Sequence, residues 1–241
     1  MYGAAKTMKC HYFEENKKNF LLLWSDISGF IFDTMQIKHI EKITQTTCPK
    51  YRQEMDCTRH LVGQLLAEYG VFRYYLQHLS NPFIPMINQQ KGQKPAFENG
   101  VGIEFNISHS HEIVVCAFSY SNIGADVEYV EHDILPIAER FFKPEEKALI
   151  SHSMKPNETA YKIWVRKESY LKTIGKGIGY INETPSVVNG SSFVTDIDGY
   201  CFHEIEIKHG YQMIVCAEKT ISSSLTKEVN VNCLIRFLKE I

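Results

Sequence analysis

The sequence predicts an α+β fold made of two similar halves, residues 1–122 and 123–241. Three observations carry that expectation. His111-Glu-Ile-Val-Val-Cys-Ala-Phe118 resembles Tyr211-Gln-Met-Ile-Val-Cys-Ala-Glu218, and the shared Val-Cys-Ala begins at 115 and again at 215. Both runs are rich in the β-branched residues that favour strands. A helical pattern precedes each run, over 56–72 in the first half and 158–174 in the second. A matching order of elements is the mark of an internal duplication, and the length suits two halves of about 120 residues.

In the first half, Leu61, Leu65, Leu66, Tyr69 and Phe72 recur at helix spacing, with Asp56 or Thr58 as the start signal. Asn81-Pro82 stops this helix. Asn88-Gln-Gln-Lys-Gly-Gln-Lys-Pro95 then reads as a surface loop. Ile103, Phe105 and Ile107 alternate with Glu104, Asn106 and Ser108, the pattern of a half-buried strand, and a hairpin partner follows at 113–119. Residues 123–128 form another short strand, with the boundary between halves just before it. Arg140-Phe-Phe-Lys-Pro-Glu-Glu146 opens a further helix, Pro144 suiting its first turn. Ala160, Ile163, Trp164, Leu171 and Ile174 make the apolar stripe of the next helix, which Gly175 ends. The last strands fall around 193–197, 201–207 and 211–217.

Composition limits what such a fold can do. Hydrophobic residues are 44% and charged residues 22%, so a sizeable core is available and disorder is excluded. Lys and Arg number 26 against 28 Asp and Glu, a formal charge of −2. That balance gives no global field for nucleic acid or an anionic membrane, and any anionic ligand must be held by a few placed cations. The longest apolar runs, Phe20-Leu-Leu-Leu-Trp24 and Ile113-Val-Val-Cys-Ala-Phe118, fall far short of the roughly 20 residues a membrane helix needs. No signal-peptide pattern opens the chain, and the seven cysteines are scattered without a CxxC. A reducing, cytoplasmic compartment with neither a zinc nor a disulfide framework is expected.

Three constellations carry chemistry. Asp126 and Glu128 project from one face of a strand, about 6.6 Å apart along it, and together suit a hard divalent cation such as Mg²⁺ or Mn²⁺. A strand with a solvated face has the same spacing. On the 158–174 helix, Trp164, Glu168 and Lys172 lie along one row, so Glu168 borders the buried face; an ordinary i, i+4 ion pair reads identically. Ser108, His109 and Ser110 leave the end of a strand, where hydroxyl and backbone donors can meet an anion. Neighbouring residues on a strand face opposite ways, so Ser108 and His109 are poorly placed as nucleophile and base.

In combination these segments become specific. Asn-Ile-Ser-His-Ser110, Gly-Ala-Asp-Val-Glu128, Phe-Phe-Lys-Pro-Glu-Glu146 and Trp-Val-Arg-Lys-Glu-Ser-Tyr-Leu-Lys-Thr-Ile-Gly-Lys-Gly177 follow one another in the order seen in the surfactin-type 4′-phosphopantetheinyl transferases, which the chain resembles over about 60–178. Arg59-x-Leu-x-Gly63 and Gln93-Lys94-Pro95 match elements upstream. The resemblance implies the pseudo-duplicated two-half fold of that family, with a cleft between the halves. It implies transfer of 4′-phosphopantetheine from coenzyme A to a serine of an apo acyl or peptidyl carrier protein, with release of 3′,5′-ADP. Position by position, Asp126, Glu128 and Glu168 match the magnesium ligands, with Mn²⁺ able to substitute. Arg59, Lys94, Ser108 and His109 match coenzyme A contacts, Lys172 a pyrophosphate contact, and Glu168 also the residue proposed to deprotonate the serine. Lys50 and Arg52 are candidates for the 3′-phosphate. Ala125 departs from the usual Ile or Val, and His111 from a common Gly. A metal-dependent coenzyme A phosphohydrolase and a non-catalytic coenzyme A or carrier-protein binding module remain as alternatives. If two halves already form the cleft, a monomer suffices.

Overall fold

The computed structural model describes residues 18–240 apart from 45–46, 50, 52, 78, 80, 82, 89–92, 99–100 and 222, so Lys50 and Arg52 lie outside the described residues. In chain order the elements are β1 (Asn19–Asp26), α1 (Thr34–Thr44), α2 (Glu54–Val71), β2 (Ile87–Asn88), β3 (Ala96–Phe97), β4 (Glu104–Ser110), β5 (Ile113–Ser119), β6 (Ile123–Tyr129), α3 (Leu135–Phe141), α4 (Pro144–Ser151), α5 (Pro156–Thr173), β7 (Val188–Asn189), β8 (Ser192–Phe193), β9 (Asp196–Ile197), β10 (Tyr200–Glu204), β11 (Tyr211–Glu218), β12 (Ser223–Glu228) and α6 (Val231–Phe237).

Two four-stranded sheets carry the fold, ordered β12-β1-β5-β4 and β6-β11-β10-β9. β1, β5, β6 and β11 are covered on both faces over most of their length, so each alternates between two cores rather than between core and water. Phe20, Leu22, Ile113, Val115 and Ala117 of the first sheet meet Ile123, Ala125, Val127, Met213 and Val215 of the second in a core between the sheets. Leu21, Leu23, Cys116 and Phe118 face the other way, onto Leu61, Leu65 and Leu66 of α2. Cys216 likewise faces Ala160 and Ile163 of α5. The layers therefore run helix, sheet, sheet, helix. Each Val-Cys-Ala segment lies on an inner strand, its Val and Ala between the sheets and its Cys toward the helix of its own half.

Several elements differ in extent from the sequence expectation. The Phe20–Trp24 run is the centre of β1, a strand with both faces covered. The first helix continues past Val71 as a π-helical turn over Phe72–Leu76. The helix expected to open at Arg140 is two helices, because Pro144 holds Lys143 extended and starts α4 at its own position. The 88–95 loop bridges a short hairpin, β2 pairing with β3. Residues 223–237 return to the first sheet: β12 runs parallel to β1, and Val231 and Leu234 of α6 join the core under α2. The first sheet therefore draws strands from both sides of the 122/123 boundary.

The expectation of no disulfide needs correction. Cys48 and Cys57 are bonded, with Cα atoms 6.4 Å apart, tying the segment before α2 to its first turns. Spacing could not reveal this, since pairing depends on where the fold brings two Cβ atoms. Cys116 and Cys216 are free and buried, as expected of small apolar side chains. Among the described residues no helix is long and apolar enough to cross a membrane.

Candidate active site

β4 is an edge strand of the first sheet and β6 an edge strand of the second, and the two run side by side. They are joined by side chains. Asn106, Ser108 and Ser110 alternate along β4, so all three project from one face. Asn106 Oδ1 accepts from the Ala125 N–H (2.9 Å), Ser108 Oγ from Val127 (3.4 Å) and Ser110 Oγ from Tyr129 (3.0 Å). Each of these is an outward N–H of β6 that would otherwise be unpaired. On the opposite face Phe105 is buried against α2, and Ile107 packs so closely on the same helix that a Cβ on Gly63 would lie 2.8 Å from it.

The same seam presents acids. Asp126 and Glu128 point away from Ala125 and Val127, toward α5. Gly124 lets α5 approach: a Cβ there would lie 2.2 Å from the Ser169 carbonyl oxygen and 2.5 Å from the Thr173 nitrogen. α5 thereby delivers Glu168, and one oxygen from each of Asp126, Glu128 and Glu168 lies within 4.8 Å of the others. Lys172, one turn beyond Glu168, sets its ammonium 2.6 Å from Asp126 Oδ1 and 3.0 Å from Ser108 Oγ, but 3.8 Å from Glu168. The helix pair foreseen in the sequence is thus subordinate to a contact across the cleft. Ser108 and Ser110 also donate, to Asp126 Oδ1 (2.9 Å) and Glu128 Oε2 (2.8 Å).

Burial sets the electrostatics. Asp126 is 2% exposed, and desolvation raises its pKa even though Lys172 and Ser108 lower it. Glu128 is raised by burial and by Asp126, with Ser110 opposing. Glu168 is pushed up to about 8 by burial and by Asp126. Lys172, which burial alone would lower, is raised by Asp126 and Glu168. One ammonium does not neutralise three crowded carboxyls. Asp126 Oδ2 is moreover buried with no hydrogen-bond partner among the described residues. An all-oxygen donor set with an orphaned carboxylate oxygen fits a hard divalent cation.

The acids border a cleft of about 360 Å³, whose walls include Ser108, His109, Asp126, Glu128, Glu168 and Lys172. His109 is held neutral-prone by burial and by the charges of Arg59 and Lys172. Two cations expected to meet a ligand are engaged within the protein. Arg59 donates to Asp56 (2.7 Å) and to the His111 carbonyl (2.7 Å). Lys94 donates to Glu104 (3.1 Å) and to the Ile123 carbonyl (2.9 Å), adding to the seam. His111 turns the chain from β4 into β5 at φ 51°, a conformation that favours Gly, which explains what is unusual about that position. The sequence reading missed His60 and Gln64, which line the cleft from α2, and it named Ser110 only as a donor toward an anion, whereas its hydroxyl donates to Glu128. It also left Glu146 without a role. That carboxylate is fully buried, accepting from Lys167 Nζ (3.1 Å to each oxygen), Val187 N–H (3.0 Å) and Lys143 N–H (2.8 Å), and so fixes the helix that carries Glu168.

Comparison with known proteins agrees with this geometry. Residues 122–209 match the family model of the 4′-phosphopantetheinyl transferase superfamily, a span holding Asp126, Glu128, Glu168 and Lys172. The chain is 28% identical over 221 residues to the 4′-phosphopantetheinyl transferase gsp of Aneurinibacillus migulanus, covering 86% of this chain and 89% of that one. It is 33% identical over 178 residues to the 4′-phosphopantetheinyl transferase Sfp of Bacillus subtilis, covering 70% and 78%. Over 89 residues it is 40% identical to the 4′-phosphopantetheinyl transferase HetI of Nostoc sp., covering 34% and 37%. With its motifs gathered at one cleft and these relatives matching most of its length, the chain belongs to the 4′-phosphopantetheinyl transferase family.

Proposed function

We propose that this transferase moves 4′-phosphopantetheine from coenzyme A to a serine of an apo acyl or peptidyl carrier protein, with Mg²⁺ held by Asp126, Glu128 and Glu168. The observation that supports the metal is the meeting of three carboxyls, a buried Asp126 with an unpartnered oxygen and half-buried Glu128 and Glu168, beside a single lysine. When bound, magnesium supplies Lewis-acid polarisation and orientation of the pyrophosphate oxygens. The serine oxygen forms a bond to the phosphopantetheine phosphorus, the bond from that phosphorus to the bridging oxygen breaks, and 3′,5′-ADP leaves.

The chain's own groups divide the remaining work. Lys172 offers its ammonium to the pyrophosphate, where negative charge grows as the leaving group departs. Glu168 comes from a different element than the other two acids and is the group that accepts the serine proton. Ser108 and His109 border the phosphate side of the cleft. Arg59 and Lys94 serve as coenzyme A contacts only by exchanging part of their present partners. Such catalysis is chiefly positioning and electrostatics. A monomer acting in the cytoplasm suits this reading.

The test is a product assay by mass spectrometry with Mg²⁺, coenzyme A and an apo carrier protein. The carrier should gain one phosphopantetheine. Release of free phosphopantetheine without a carrier would mark a hydrolase instead, and binding without either product would mark a binding module.

A further inference from the structure

Ser110 stands outside every role assigned so far. Its hydroxyl oxygen accepts the Tyr129 N–H at 3.0 Å, and with that side of the oxygen engaged, its proton is directed to Glu128 Oε2 at 2.8 Å. The arrangement repeats what Ser108 does two residues earlier for Val127 and Asp126. The two serines thus act as paired hooks: the backbone of β6 fixes each hydroxyl, and each hydroxyl fixes a carboxylate on that same strand. Their spacing on β4 matches the spacing of the acids on β6 because both follow the two-residue period of a strand. No backbone ladder pairs β4 with β6 among the described residues; Asn106, Ser108 and Ser110 bond the β6 amides in its place.

We infer that Ser110 is a positioning residue that orients Glu128 for divalent-cation binding, working through a side-chain seam that takes the place of a backbone ladder between β4 and β6. The inference rests on the metal reading above, and goes beyond it by naming what aims the ligand. Groups that hydrogen-bond a metal ligand from outside set its orientation, and losing one typically weakens metal binding by about 10–100-fold. Without the Ser110 hydroxyl, Glu128 would keep the Trp164 side chain as a hydrogen-bond partner but could sample more rotamers, and metal binding would have to select one.

The test measures Mn²⁺ binding directly, by the loss of the free-ion electron paramagnetic resonance signal on titrating the full chain without coenzyme A. Ser110→Ala should bind Mn²⁺ about tenfold more weakly than wild type, and Ser110→Thr, which keeps the hydroxyl, should restore the affinity. In steady-state transfer, Ser110→Ala should need about tenfold more Mg²⁺ while keeping its coenzyme A KM and, at saturating Mg²⁺, its kcat. Unchanged Mn²⁺ affinity in Ser110→Ala, with wild type binding normally, overturns the positioning role and leaves the transferase reading standing. A wild type that transfers phosphopantetheine yet binds no Mn²⁺ removes the metal reading, and this role with it. If Ser110→Ala melts well below wild type, Ser110→Thr decides: a threonine variant that folds but does not regain Mn²⁺ affinity assigns the serine to folding alone.

Discussion

Lys172 and Glu168 are one turn apart on α5, yet the lysine lies closer to Asp126 on the facing strand than to Glu168. A surface ion pair would make the two residues interchangeable; this geometry makes them unequal. Glu168→Gln, which keeps shape and removes charge, should lower kcat on the order of 10²-fold with a modest change in coenzyme A KM. Lys172→Ala should impair both constants, and Lys172→Arg should restore only part, because a planar fork does not replace a compact charge held against one carboxylate oxygen. Steady-state kinetics of the three variants separates these roles, and near-normal turnover by Glu168→Gln would falsify its placement at the reacting serine. Asp126, Glu128, Glu168 and Lys172 could be singled out in the sequence because their motifs follow one another in the order of the family the chain resembles; strand and helix periods alone fit a solvated strand and a surface ion pair equally well. The bonds of Ser110 to Glu128, of Lys94 to the Ile123 carbonyl and of Arg59 to the His111 carbonyl were not legible there, since each partner lies well away in the chain.

Between elements, the decisive contact is β6 against α5. Gly124 has no room for a methyl group, and what it would strike is backbone, which cannot swing aside. Gly124→Ala should destabilise the protein by about 1–3 kcal/mol in urea unfolding and reduce transfer by shifting Glu168 away from Asp126. The far side of α5 is fixed by Glu146 and Lys167, both fully buried. Glu146→Gln leaves an uncompensated buried ammonium and should cost about 3–5 kcal/mol in the same measurement, whereas pairing it with Lys167→Met should recover most of the loss. Helices α2 and α5 and strands β4 to β6 could be read from the sequence because amphipathic or apolar periodicity marks them. β12 could not. All six of its side chains are exposed, so only its backbone pairing with β1 makes it a strand. α1 is also polar over much of its length, burying only Ile40 and Thr44.

For the molecule as a whole, four layers leave the acids at a seam between two sheets, where water is scarce. Glu168, ordinarily near 4.5, is raised to about 8 by burial and Asp126. The folded state therefore holds a proton that the unfolded state has released across that range. Stability contributed by this group is fully present below about pH 4.5 and is lost as pH rises toward 8. Asp126 and Glu128 act in the same direction. Glu68, raised to about 8 by burial in α2, does so too, without belonging to the acid cluster. His60, His109 and His203, each lowered by desolvation, work oppositely at lower pH, so the informative quantity is a difference. The melting temperature measured in chelator should fall between pH 5 and 8, and saturating Mg²⁺ should remove much of that fall while leaving the share due to Glu68. Identical pH profiles with and without Mg²⁺ would separate the carboxyl cluster from metal binding.

The parallel pairing of β12 with β1 has a temporal meaning. Asn19 lies opposite Ser223, and Trp24 and Val229 are joined by a backbone hydrogen bond of 2.8 Å, so some two hundred residues must leave the ribosome before β1 gains its outer neighbour. Until then the nascent first half presents an apolar strand with one row of unpaired amides, the kind of edge that recruits other chains. β6 to β11 are already synthesised by that moment, and the second half can close on its own antiparallel pairs. The order of completion is therefore the reverse of the order of synthesis. The sheet that begins first is the one that finishes last, because its outer strand is supplied by residues 223–228.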